Sequence, residues 1–317
     1  MKRIFYILPF LLLAACDAIV DRPLPEHTPR LVVNAFFQPG LPMDVYLTRS
    51  YGPLEDLSLD DILVSDARVE LFKSNQSLGV LPYRDTVFNA NPFPGEPNVS
   101  GKYESAQVAD TGATYTLRIS HPTYGEAEAT TRIPLPVRVR RVWVEQSVAQ
   151  TIDNFGNTQG FQSLVYVEID DPAGEVNFYE FGAKLWVQDS LYGSDPFVYD
   201  AFLYGTATPG TNGGYDFDSA LPNDAGKDGQ TITYVFLTYL HNAYEEKRTI
   251  DIQSVVLTSS SYNEDYARFK EELNRQRSTN TGGFTLIPPE AVIVYSNVEG
   301  GYGIFSGITT SRDSFPQ

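Results

Sequence analysis

From Arg30 onward apolar and polar residues alternate in short runs. RLVVNAFF, MDVYLTRS, ARVELFKS, GKYESAQV, ATYTLRIS and EAEATTRIP are of strand length and rich in β-branched or aromatic residues. Clusters of Gly, Pro, Asn and Asp such as QPGLP and NANPFPGEPN set them apart. In TYTLRIS the period of two places Tyr115, Leu117 and Ile119 on one face, the pattern of a half-buried antiparallel strand. Six or seven such strands over residues 30–134 predict an immunoglobulin- or fibronectin-like β-sandwich.

IPLPV at 133–137 carries two prolines that a sheet interior does not accept, and marks a boundary between domains. Residues 135–317 then predict a larger antiparallel β domain. VRVRRVWVEQS, FQSLVYVEID and EVNFYEFGAKLWVQ are longer strands, and Asp171-Pro172-Ala173-Gly174 between the last two suits a type I turn closing a hairpin. Residues 190–230 read as long loops around one or two short strands, after which TITYVFLTYL and RTIDIQSVVLTSS return to strand character. One amphipathic helix is predicted over about 262–277. Ser261 and Glu264 form a capping box, Tyr262, Tyr266, Phe269 and Leu273 line one stripe, and Glu264–Arg268 and Glu271–Arg275 pair at four-residue spacing.

The N-terminus changes the picture from a β protein to an anchored one. Lys2 and Arg3 precede an apolar run from Ile4 to Leu13, too short to stay in a ~30 Å bilayer core as a helix and suited to a signal peptide over 1–15. Leu13-Ala14-Ala15-Cys16 has the form of a bacterial lipobox, with lipid on Cys16, the only cysteine of the chain. Residues 16–29, with Pro23, Pro25 and Pro29, make a semi-extended tether. Removing Lys2 and Arg3 from 23 basic residues against 40 acidic ones takes the formal charge from −17 to −19. Such a body repels a phosphate backbone, and RVRR at 138–141 sits in an alternating strand, so nucleic acid is excluded as a partner.

Candidate chemistry is sparse. Three histidines, His27, His121 and His241, do not make a metal site when the first lies in the tether and the second in a turn. Carboxylates are plentiful at Asp170, Asp171, Asp216, Asp218, Asp224 and Asp228, but DFDSALPND lacks the third oxygen ligand and the glycine of a calcium loop. No cofactor is therefore expected, and calcium is the one metal worth testing. Tyr192, Phe197, Tyr199, Phe202 and Tyr204 either fill the second core or form a stacking platform for a ligand such as a glycan. The glycines of SNVEGGYGIFSG at 296–307 follow a strand but precede β-branched and aromatic residues. A phosphate loop needs a helix there, so Asn297, Gly300, Gly301 and Gly303 read as a structural turn of the second domain, with no catalytic role.

The lipobox, RLVVNAFFQPG, HPTYGEAEATTRIP, SYNEDYARFKEEL and VIVYSNVEGGYGIFSG occur in the order seen in Bacteroidota lipoproteins of the domain of unknown function 4249 family, which the chain resembles from Cys16 to Gly307. The resemblance implies an outer-membrane lipoprotein, typically encoded beside a TonB-dependent β-barrel receptor, with no established catalytic residues. An accessory or ligand-capture role beside such a transporter is the expectation, and independent glycan or matrix binding at the cell surface is the alternative.

Overall fold

The computed structural model describes residues 27–52, 55, 59–88, 98–152, 158–189, 197–201, 203, 221–241, 250–281 and 293–317. Cys16 with the tether up to residue 26, and Tyr192, Phe202 and Tyr204, lie outside them. The described chain is mostly β, in several largely antiparallel sheets, as the alternation predicts.

The first unit contains β1 (Leu31–Phe37), β2 (Pro42–Arg49), a single helical turn α1 (Leu59–Ile62), β3 (Arg68–Lys73), β4 (Gln76–Val80), β5 (Tyr83–Phe88), β6 (Asn98–Val108), β7 (Thr114–His121) and β8 (Gly125–Arg132). One sheet runs β4-β3-β7-β8; the other contains β1-β2-β6-β5. Leu31, Val33, Ala35 and Phe37 of β1 meet Val69 and Leu71 of β3 and Tyr115, Leu117 and Ile119 of β7 in one buried cluster. Burying each such side chain contributes about 1.5–3 kcal/mol, so a charge at any of the last three breaks this core.

The second unit contains β9 (Arg138–Ile152), β10 (Thr158–Asp170), β11 (Phe178–Asp189), β12 (Phe197–Ala201), β13 (Thr231–His241), β14 (Ile250–Tyr262), helix α2 (Glu264–Thr281) and β15 (Tyr302–Pro316). A sheet β13-β10-β9 supplies Val165, Val167, Ile169 and Phe236 to a second buried cluster, completed by Phe181 and Leu185 of β11 and Val255 and Leu257 of β14. The chain passes between the two clusters in the proline segment: Ile133 belongs to the first and Val137 to the second.

Three expectations are corrected. Asp171–Gly174 does not close a hairpin, because β10 pairs with β9 and β13 while β11 pairs with β12 and β14. The turn instead carries the chain from one sheet to the other. The helix begins two residues later than expected and extends to Thr281, and its cap is Asn263, whose Oδ1 accepts the Tyr266 N–H at 3.1 Å. Ser261 is still in β14 and fully buried. Along the helix Arg275 pairs with Glu271 at 3.1 Å as expected, but Arg268 turns to Glu272 at 3.5 Å and over the Tyr295 ring at 4.4 Å.

The third correction concerns the C-terminal strand, which does not belong to the second unit alone. Residues 302–307 of β15 pair in parallel with β1, Val32 opposite Tyr302 and Phe37 opposite Gly307, whereas residues 308–316 pair antiparallel with β14. One eight-stranded sheet, β12-β11-β14-β15-β1-β2-β6-β5, therefore runs through both units. Val298 and Phe305 are buried in the first core, while Phe315 packs on the second.

Polar bonds close the junction. Asn263 Nδ2 donates to Thr131 Oγ1 at 2.9 Å, Ser306 Oγ donates to Asn263 Oδ1 at 3.0 Å, and the Gly307 N–H donates to Thr131 Oγ1 at 3.1 Å. Thr131 and Ser306 are almost fully buried, so each lost partner leaves a desolvated polar group that costs about 1–3 kcal/mol.

Candidate functional site

The glycine segment lies where β15 enters the sheet beside β1. Gly303 has φ +103°, and a Cβ there would overlap the Val33 carbonyl oxygen. Only glycine takes that conformation without strain while letting two backbones approach this closely. At Gly300, φ +77°, a Cβ would overlap the Glu126 carbonyl oxygen, and at Gly301 it would stand 2.6 Å from the Leu31 carbonyl oxygen. The glycines pack against β1 and β8 of the first unit, so the turn does not belong to the second unit alone as the sequence suggested.

Asn297 completes the motif. Its Oδ1 accepts the Phe305 N–H at 2.9 Å and its Nδ2 donates to the Phe305 carbonyl at 2.8 Å, so the side-chain amide stands in for a neighbouring strand's peptide. Nδ2 also lies 3.2 Å from Asp265 Oδ2, and the Tyr295 hydroxyl donates to Asp265 Oδ1 at 2.6 Å, tying the segment to the first turn of α2. Burial and this bond to Asp265 push the Tyr295 hydroxyl up to about 12. The turn leads into a strand and not into a helix, so it lacks the helix N-terminus that a phosphate cradle uses.

On the outer side of the turn lies a cleft of about 410 Å³, lined by Arg68, Glu70, Arg118, Ser120, Glu128 and Glu299 among others. Glu299 exchanges backbone hydrogen bonds with Glu128 at 2.8 and 3.0 Å, adding one rung to the edge of β8. Arg68 pairs with Glu70 at 3.2 Å and Arg118 with Glu128 at 2.9 Å, pairs too exposed to contribute much to stability.

His121 is nearby but committed. Its Nδ1 accepts the N–H groups of Thr123 and Tyr124, both at 3.1 Å, which fixes the ring proton on Nε2, 3.0 Å from Asp66 Oδ1. The ring stacks on Tyr124 with centroids 4.5 Å apart. The side chain shapes the β7–β8 turn.

A second grouping of ionisable side chains was not legible as a group in the sequence. At the corner after β10, Asp171, Asp224 and Asp228 bring one carboxylate oxygen each within 4.8 Å of the others, the first two buried. Asp171 accepts a short hydrogen bond from the Tyr179 hydroxyl and one from the Gly229 N–H at 2.8 Å. Asp224 accepts from the Asn177 N–H at 3.2 Å and Asp228 from the Gly174 N–H at 2.7 Å. Burial, then repulsion from Asp171 and Asp228, raises the Asp224 carboxyl above the ordinary aspartate value; burial and the bond to Asp171 push the Tyr179 hydroxyl far up. These are the oxygens that a hard cation such as calcium would use. Each already holds a donor from the two turns, so the cluster locks β10, β11 and β13 at their corner. Asp170, the neighbour in sequence, points elsewhere and pairs with Arg140 at 2.6 Å.

Of the aromatic residues singled out in the sequence, Phe197 and Tyr199 lie in the edge strand β12, in register with Val187 and Leu185. Trp186 and Val198, cross-strand neighbours there, are exposed at 40% and 43%. Among the described residues no helix is long and apolar enough to cross a membrane. The family model described as Domain of unknown function (DUF4249) matches residues 19–314. No curated protein matches the chain.

Proposed function

The chain belongs to the DUF4249 family, and from that premise we propose that it is a non-enzymatic lipoprotein of the outer membrane in a bacterium of the Bacteroidota, acting as an accessory or ligand-capture partner of a TonB-dependent transporter. The observation that carries this reading is Leu13-Ala14-Ala15-Cys16 behind a short charged and apolar leader, with Cys16 the only thiol. Multiple acyl chains at ~0.8 kcal/mol per buried methylene hold a chain firmly without basic residues, and leave an acidic body free to face outward. The described geometry supports the non-enzymatic part: His121, Asp171 and Asp224 hold turns together and flank no reactive group. In this reading the protein carries no resident cofactor, and its ligand reaches the barrel directly. Affinity recovery of the native lipoprotein from detergent-solubilised outer membranes tests it. A TonB-dependent β-barrel in the eluate is the expected outcome; recovery of the lipoprotein without any such barrel overturns the proposal.

Independent glycan binding is the second reading, favoured by the exposed cross-strand pair of Trp186 on β11 and Val198 on β12, the strand that also carries Phe197 and Tyr199. Loss of glycan binding on Trp186→Ala with an unchanged melting temperature would select it.

A further inference from the structure

We infer that the rim of the first unit from which β1 and β15 depart, carrying Arg30, Tyr51 and Tyr302, rests on the bilayer that holds the lipid, with the second unit directed away from it. The inference rests on lipidation of Cys16 as proposed above. It fixes which way the molecule stands, from strand direction and chain length.

The chain enters the fold at this rim. The Arg30 N–H donates to Ser50 Oγ at 3.0 Å, the Arg30 carbonyl accepts the Ser50 N–H at 2.8 Å, and His27 Nε2 lies 3.0 Å from Ser50 Oγ. His27 is thus held at the rim, and ten residues, or eleven Cα–Cα steps, separate it from Cys16. Fully extended, such a segment spans at most about 40 Å. β1 and β15 run parallel away from the rim, and β15 continues past the end of β1 to pair with β14 as far as Pro316. Its fifteen residues cover roughly 50 Å at strand rise. The second unit therefore lies beyond the far end of β1. If its far end sat on the membrane and the strand stood upright, the rim would lie up to about 50 Å above it, at or past the limit of a fully stretched tether. Covalent length therefore favours the rim as the end that meets the membrane.

The rim is also chemically suited to a lipid surface. Tyr51 is 53% exposed and Tyr302 44% exposed, and the Arg30 guanidinium lies over the Tyr302 ring at 5.8 Å from its centroid. Tyrosine rings settle at the headgroup level, where one end is apolar and the other wet, and an arginine beside them meets lipid phosphates. Glu299, exposed at the start of the glycine turn, marks the same rim, and Ser314, exposed near the end of β15, marks the far end.

The test uses the full lipidated protein reconstituted without any receptor in phosphatidylethanolamine–phosphatidylglycerol vesicles, some lipids carrying a headgroup nitroxide. A fluorophore is attached through Glu299→Cys in one sample and Ser314→Cys in another, Cys16 being blocked by its lipid. Quenching several-fold stronger at 299 than at 314 is expected, and the double variant Tyr51→Ser, Tyr302→Ser should lower the quenching at 299 while the protein still floats with the vesicles. Flotation with equal quenching at both positions, or stronger quenching at 314, overturns the orientation and leaves the lipoprotein reading standing. Flotation with no quenching at 299 shows that the rim needs a protein surface and overturns the lipid contact. Failure to float overturns the lipoprotein reading and this inference with it. Quenching at 299 that persists in the double variant removes the role given to the two tyrosines.

Discussion

Replacing Gly303 by alanine adds one methyl group where β15 meets β1. Two costs follow from the geometry. An alanine held at φ +103° pays about 1–2 kcal/mol for leaving the right-handed and extended regions. Its Cβ would also overlap the Val33 carbonyl oxygen and press on the Val33 backbone, and β1 cannot retreat because β2 pairs on its other side. Displacing β15 is the only relief, at the 1–3 kcal/mol typical of overpacking. The sum, about 2–5 kcal/mol, is a large part of the 5–15 kcal/mol that holds an ordinary domain folded.

The two tryptophans, Trp143 in β9 and Trp186 in β11, both lie in the second unit, 160 and 117 residues before the substitution. Their fluorescence in a urea titration of the detergent-solubilised protein therefore reports on the unit that Gly303 does not touch. Because β15 carries one sheet through both units, the Gly303→Ala variant should lower the midpoint by circular dichroism and by tryptophan fluorescence together. A loss below about 1 kcal/mol would refute the steric argument. A fluorescence midpoint left in place while the dichroism midpoint falls would refute the coupling of the units through the strand.

Other consequences are smaller but independent. Asn297→Ala strips both partners from the buried Phe305 peptide and should cost about 2–4 kcal/mol in thermal unfolding, since two polar groups are left unpaired; a loss within error would show that water replaces the amide. His121→Phe keeps the ring over Tyr124 but removes the acceptor of two N–H groups, and should lower stability by about 1–3 kcal/mol by the same measurement. Asp224→Asn should raise the melting temperature at pH 7. The folded carboxyl has a raised pKa, so its charged form weakens the fold at pH values above that pKa, while asparagine still accepts the Asn177 N–H. The advantage should disappear as the pH falls to 3.8, the ordinary aspartate value, and below, where the wild-type carboxyl is protonated. An advantage that grew on acidification would contradict the assigned sign.

Strands that alternate cleanly, such as β1, β7 and β8, were legible because one face of each is buried and the other wet. β4 and β5 were not: QSLGV has no buried position to betray its period, and its place depends on pairing with β3. The hairpin expected at Asp171–Gly174 failed because turn chemistry fixes a local bend but not which sheet the next strand joins. Ser261 looked like a helix cap by spacing, yet its register in β14 opposite Tyr179 keeps it in the sheet for one more pair, and Asn263 takes the cap. The shared strand was the least legible feature, since a parallel pairing between residues 32–37 and 302–307 leaves no local signature. The glycines gave the close approach but not the partner. Likewise Asp171 and Asp224 were visible as carboxylates, while their proximity depends on two turns separated by more than fifty residues.

Every functional inference above depends on the chemistry of residue 16. Mass spectrometry of the N-terminal peptide of the native membrane protein should find Cys16 as its first residue, with a thioether-linked diacylglycerol on its sulfur. A peptide with a free Cys16 thiol, or one that begins at another residue, would contradict the lipoprotein assignment and with it the proposed place beside a transporter.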